Sequence, residues 1–163
     1  MKQRLVVIGN GMAGMRTVET LLQNAPKKYA ITVFGAEPHG NYNRIMLTPV
    51  LFGAKSIDEI MIHDLAWYKQ NSITLHCGAD KTVVNVDRAQ RRVIARDGTV
   101  AEYDRLLIAT GSLPLMLSIP GRETEGVMGF RDIADVEQMI RKAQTRQHAV
   151  IGPFRDRIPS PLQ

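Results

Sequence analysis

The sequence predicts an α/β domain in which a parallel sheet carries a small antiparallel meander, and three observations carry that expectation. A β-branched apolar run at residues 4–8 leads through a glycine-rich turn into a helical pattern. A second such run follows at 30–34, and four short strand-like runs crowd residues 73–103. Of the 163 residues 44% are hydrophobic and 23% charged, the balance of a folded chain and not of a disordered or fibrous one. That length suits one domain, or one domain and part of another.

Residues 4–8 (RLVVI) are apolar after Arg4 without alternation, as expected for a strand buried on both faces of a parallel sheet. Residues 9–14 turn the chain. From 12 to 23, Met12, Met15, Val18, Leu21 and Leu22 recur at helical spacing, and Asn24 with Pro26 ends the pattern. With the strand at 30–34 this makes a βαβ unit, whose parallel strands need both sheet faces covered. "RIMLTPVLF" reads as a short, Pro-interrupted helix under a loop, and 64–71 as another short helix. Strands are expected at 73–76, 82–86, 91–95 and 100–103, with "DRAQRR" and "RDGT" turning between the last three. Another compact run, 106–109, ends in "TGSLP". A linker to Gly129 leads to a helix from Asp132, its cap, to about Gln144, with Ile133, Val136 and Ile140 on one side. A last buried strand is expected at 148–151.

The net charge of +5 is scattered, so it reads as a mildly basic protein that attracts anionic ligands and not as a nucleic-acid surface. Cys77 is the only cysteine, which excludes an internal disulfide, a Cys-x-x-Cys pair and any multi-cysteine metal cluster within this sequence. The histidines, His39, His63, His76 and His148, show no metal spacing and read as surface or structural. "LVVIG" is too short for a signal-peptide core and no run reaches spanning length, so the expectation is a cytoplasmic protein without a membrane segment.

"VVIGNGMAGMRTVETLL" places Gly9, Gly11 and Gly14 in the G-x-G-x-x-G pattern, after a strand and at a helix start. Gly9 suits a tight turn, Gly11 lets backbone approach a pyrophosphate, and Gly14 lets helix pack on strand. Met12 and Ala13 open the helix, whose unpaired amides and positive end suit a diphosphate. A glycine turn serving packing alone is the competing reading. Glu37, just past "ITVFG", is the candidate acid for ribose hydroxyls, with an exposed loop glutamate as its alternative. An acid there repels a 2′-phosphate, which favours FAD or NAD over NADP; the turn alone does not choose between those two.

"YDRLLIATGSLP", residues 103–114, resembles the second FAD-contacting motif of the pyridine nucleotide-disulfide oxidoreductase superfamily. "NYNRIMLTPVLFGAKSIDEI" and "IHDLAWY" are similar to the flavin module that opens the large subunit of NAD(P)H-dependent nitrite reductases and to rubredoxin- and ferredoxin-reductase relatives. The resemblance runs from Arg4 to about Ile151 and implies a Rossmann-like FAD-binding domain over 1–145. It implies FAD contacts at Ala109, Thr110 and Gly111, and places Asn43 and Arg44 beside the FAD. It brings Lys55 towards the flavin ring, where a plain surface lysine is an equal reading, and puts backbone near Val83 at the adenine end, where a plain meander strand explains Val83 as well. Asp104 is expected to bond backbone at the base of the "ATG" strand, outside any catalytic role. No side chain is assigned a catalytic role, and NAD(P)H is implied as the electron donor.

In "HAVIGPFRDRIPSPLQ" a second strand-plus-glycine beginning breaks off: Phe154 and Arg157 fall where the counterparts of Gly11 and Gly14 would stand, and Pro153, Pro159 and Pro161 oppose a helix amino end. Residues 146–163 therefore read as an aborted first strand of an NAD(P)H-binding domain plus an irregular tail, and the chain as truncated and catalytically incomplete alone. Exposed apolar surface is expected to favour self-association or a partner polypeptide. The competing readings are a stand-alone NAD-binding Rossmann protein, and a non-catalytic remnant or a subunit completed by another polypeptide.

Overall fold

A computed structural model describes residues 2–114, 116, 120–146 and 148–150. Strand β1 (Gln3–Ile8) leads through the glycine turn into helix α1 (Met12–Asn24) and returns as β2 (Tyr29–Gly35). A parallel sheet forms in the order β5-β2-β1-β9, with β5 at Thr74–Cys77 and β9 at Arg105–Ile108. β1 is thus central: Leu5 pairs with Ile31 on one side and with Arg105 on the other. The chain leaves β1 toward β2 and returns on the opposite side as β9, so the direction of winding reverses at β1. Open α/β sheets bind ligands at such reversals.

Alternate residues of β1 enter different cores, which is why its sequence shows no polar alternation. Leu5 and Val7 pack with Met15 and Val18 of α1, Ile31 and Val33 of β2, and Tyr68. Val6 and Ile8 point the other way, against Phe34, Val93, Ala95 and Tyr103. Each such fully buried aliphatic side chain contributes about 1.5–3 kcal/mol. The second core lies under the antiparallel meander β6 (Val83–Asp87), β7 (Arg92–Ala95) and β8 (Val100–Glu102). Its turns are those the sequence marks.

Between β2 and β5 the chain is more ordered than a helix beneath a loop. β3 (Asn41–Tyr42) pairs antiparallel with β4 (Met61–His63), and neither strand is anticipated from the sequence. A 3-10 turn at Arg44–Met46 runs into α2 (Leu47–Leu51), where Pro49 sits in the first turn, the one place a helix tolerates it. Also unanticipated, α3 (Ile57–Ile60) is closed by a capping box between Ser56 and Glu59. The short helix expected at 64–71 forms as α4 (Leu65–Gln70), and Asp64 is its cap. Tyr42, Leu47, Val50 and Ile60 form a third core with Ile133 and Val136 of α5 (Ile133–Ala143). Asp132 caps α5 as expected, whereas Ile140 is 39% exposed and lies outside that core.

The expected strand at 148–151 is not formed at its described residues: 148–150 take no strand conformation and Val150 is fully exposed. Ile151 and the rest of the broken glycine pattern lie outside the described residues. No helix among the described residues is long and apolar enough to cross a membrane.

Candidate functional site

The glycine turn is built from close approaches that exclude side chains. Gly9 has φ +114°, and a Cβ there would lie 2.1 Å from the carbonyl oxygen of Ala109, at the end of β9. Its amide donates to Phe34 O at 2.8 Å, so Gly9 is fixed between β2 and β9. A Cβ on Gly14 would meet Gly9 O at 2.6 Å and the Ala109 side chain at 3.3 Å, which sets how closely α1 sits on the sheet. Gly11 differs. It caps α1 in an extended conformation with φ −83°, and a Cβ there would have no protein atom within 4 Å.

Neither backbone nor packing therefore requires glycine at position 11, and the space in front of it is open. The first backward hydrogen bond of α1 runs from Met15 N to Gly11 O at 3.0 Å, and no side chain caps the helix. The amides of Met12, Ala13 and Gly14 precede it and lack an intrahelical acceptor. Free amides at a helix amino end, facing a clear approach, are the donor set an anionic phosphate needs.

Asn10, between the first two glycines, turns its amide into the protein. Its Nδ2 donates to His39 O at 3.1 Å, and its Oδ1 accepts from the Tyr68 hydroxyl at 2.7 Å. Asn41 closes the set: its Nδ2 donates to Asn10 O at 3.0 Å and its amide donates to the Tyr68 hydroxyl at 3.1 Å. Asn41 is 2% and Tyr68 1% exposed. Burial chiefly pushes the Tyr68 phenol up to about 12, so it remains a hydrogen-bond donor at every physiological pH.

Glu37 is not an isolated loop glutamate. Oε2 accepts from the Tyr42 hydroxyl and Oε1 from Arg44 Nη2, each at 2.6 Å. Arg44 also donates to Arg131 O at 2.7 Å, and its guanidinium lies 5.0 Å from the Tyr42 ring centre. Burial works against the Arg44 cation, but the bond and charge of Glu37 leave it held above its ordinary value. Burial first and Glu37 second raise the Tyr42 phenol. Arg131 continues the chain: its amide donates to Asp135 at 2.7 Å and its guanidinium to Ser112 Oγ at 3.0 Å. The loop after β2, the start of α5 and the loop after β9 are thereby joined. A carboxylate has about four acceptor directions, so Glu37 retains acceptor capacity beyond these two bonds.

Of the other sequence candidates, Ala109 stands directly behind Gly9, and Gly111 turns at φ +73° beside Arg131. Thr110 lies between them. Asn43 is engaged in capping, its Oδ1 accepting from Ile45 N at 3.1 Å. Val83 begins β6 next to a register shift and packs on the core that holds Ile8, the last residue of β1, and Phe34, the last but one of β2. Lys55 stands beside Glu59, with 3.8 Å between charged atoms, on an exposed part of the chain. Asp104 takes the structural place expected of it, accepting from Arg4 N at 2.7 Å.

Arg131, Tyr42, Asn10 and Tyr68 are the residues sequence reasoning missed. The first lies between the expected linker, which runs to Gly129, and the helix from Asp132, and Asn10 occupies a position the glycine motif leaves free.

The pyridine nucleotide-disulphide oxidoreductase family matches residues 3–153. The chain belongs to that family. It is 45% identical over 152 residues to the nitrite reductase [NAD(P)H] of Bacillus subtilis (strain 168), covering 93% of this chain and 19% of that protein. The assimilatory nitrate reductase electron transfer subunit of the same organism is 45% identical over 150 residues, covering 92% and 19%. Among solved structures, the NAD-dependent persulfide reductase from A. fulgidus aligns with a TM-score of 0.77 at 25% identity, over 86% of this chain and 27% of that one. The NADH:rubredoxin oxidoreductase from Clostridium acetobutylicum shares the fold, with a TM-score of 0.76 at 22% identity, over 88% and 36%. The chain thus spans about a fifth of the length of these two Bacillus subtilis relatives.

Proposed function

We propose that this chain is the FAD-binding module of an NAD(P)H-dependent flavoprotein oxidoreductase of the nitrite reductase type. The observation that carries the reading is the contrast at the turn, where Gly9 and Gly14 are demanded by contacts inside the protein while Gly11, which no internal contact demands, faces open space. In this reading Gly9, Gly11, Met12, Ala13 and Gly14 receive the diphosphate of FAD on backbone amides. Glu37 accepts from the adenosine ribose hydroxyls, with Arg44 and Tyr42 fixing the carboxylate's orientation. Asn43, Arg44, Ala109, Thr110 and Gly111 line the path of the remaining cofactor, with Val83 at the adenine end and Lys55 on the flavin side.

Bound FAD supplies the redox chemistry, accepting a hydride and passing electrons on; the residues here bind and orient it. NAD(P)H, the donor in the name of the Bacillus subtilis nitrite reductase, is the proposed donor here, in a cytoplasmic setting. With about a fifth of that relative's length, the isolated chain is expected to turn over little. A second reading, a module completed by another polypeptide, is favoured by the exposure of Ile108 at 62% and Leu113 at 92%.

The test is the colour of the purified chain. Flavin absorbance that is retained through gel filtration, and lost on Gly11→Val, is the expected result. A colourless chain that binds NAD but is not reconstituted by FAD overturns the reading.

A further inference from the structure

Two parts of the proposed site meet the ADP half of the ligand, the amides at residues 11–14 and the carboxylate of Glu37, and they belong to different segments. Something must hold them at a fixed separation. The backbone contributes one bond, from Gly9 N to Phe34 O. Beyond that point the connection is made by Asn10, which reaches across to His39 O and Asn41, the residues flanking the Gly40 step after Glu37. It is also seated tightly, since a Cβ on Gly35 would lie 2.8 Å from the Asn10 Cβ.

Asn10, Asn41 and Tyr68 leave little freedom in this connection. The Tyr68 hydroxyl donates to Asn10 Oδ1 and accepts from Asn41 N, so one buried oxygen fixes both segments at once. Gly40 lets the loop lie against β4, because a Cβ there would sit 2.1 Å from His63 O.

We propose that Asn10 is a positioning residue for dinucleotide binding, acting through Tyr68 and Asn41 to set the separation between the diphosphate turn and the ribose carboxylate. It touches neither phosphate nor ribose through its side chain. The proposal rests on the FAD reading above and adds a component that the glycine fingerprint does not contain.

Tyr68→Phe removes one hydroxyl and leaves the ring in its core; Asn10→Asp keeps the acceptor for Tyr68 but removes the donor to His39 O. FAD and ADP titrations of the ligand-free chain, made well below its thermal midpoint, should show both ligands weakened about threefold to tenfold in Tyr68→Phe, less than the full worth of the two hydrogen bonds its hydroxyl makes. Inorganic pyrophosphate, which meets the turn alone, should bind either variant as it binds wild type. The loss from Glu37→Gln should also be smaller in the Tyr68→Phe background than in wild type, because contacts that share a geometry do not add. A purely structural Tyr68 would lower the thermal midpoint and leave the affinities of the folded chain and that additivity untouched, which overturns the inference. Wild-type chain that binds no FAD overturns the FAD reading and this inference together; wild-type binding that both variants retain overturns this inference alone.

Discussion

The glycine turn and the loop that carries Glu37 are built on opposite principles. Around Gly9 and Gly14 the structure is set by missing side chains: the end of β9 and the start of α1 come so close that nothing beyond hydrogen fits. Around Glu37 it is set by polar side chains drawn from three segments, with Tyr42, Arg44 and the carbonyl of Arg131 each satisfying another. A region of the first kind fails through sterics. One of the second kind fails by degrees, as single bonds are lost.

The sharpest test of that contrast is one substitution made at two glycines. Gly9→Ala puts a methyl 2.1 Å from a carbonyl oxygen at φ +114°, and is expected to cost about 3 kcal/mol or more, enough to show as loss of soluble chain or a large fall in thermal midpoint. Gly11→Ala meets open space, so its stability cost should stay within about 1 kcal/mol, the scale of exchanging a helix cap, while FAD affinity falls at least tenfold. Equal losses of stability at the two positions would break the contrast.

In the other region, Glu37→Ala leaves the half-buried Arg44 without its carboxylate, and should cost about 2 kcal/mol in chemical denaturation. Glu37→Gln keeps an acceptor and should cost about half as much. A Glu37→Ala midpoint equal to wild type would mean that Arg44 and Tyr42 hold the loop without it.

The smallest effect is on acid stability. Glu19, bonded first by Arg16 and then by His63 at 2.6 Å, is held below the usual carboxylate range, as is Asp104 by Arg4. A depressed native pKa means the unfolded chain binds protons more readily. The stability from these groups is therefore present above about pH 4.5, and is lost as pH falls through the depressed native values. Glu19→Gln should flatten the fall in thermal midpoint below pH 4.5, and leave the midpoint at pH 7 only slightly lower.

What could be read in advance divides along the same line. The turn was legible because glycine is informative wherever backbone approaches backbone, and β1, α1 and β2 followed from apolar spacing. β3 was not: it has two residues, one of them the buried Asn41, and no periodicity can mark so short a strand. α3 was legible in principle, since Ser56 and Glu59 form the Ser-x-x-Glu capping signature. The Glu37–Arg44–Arg131 chain left no local signal, because its last member is 87 residues from Arg44 in sequence and acts through a backbone oxygen that any residue could supply.

The central place of β1 has a consequence for how the chain is made. β2 can pair with β1 soon after synthesis, since Gln3 meets Tyr29, but the partner on the other side is 100 residues away, where Arg4 donates to Asp104. Until that segment leaves the ribosome, one edge of β1 stays bare, and Gly9 has no Ala109 to rest against. Closing so long a loop is slow compared with pairing neighbours. The proposed cofactor site is therefore complete only after β9 docks, which makes that docking both the late step of folding and the moment from which a bound cofactor would begin to stabilise the chain.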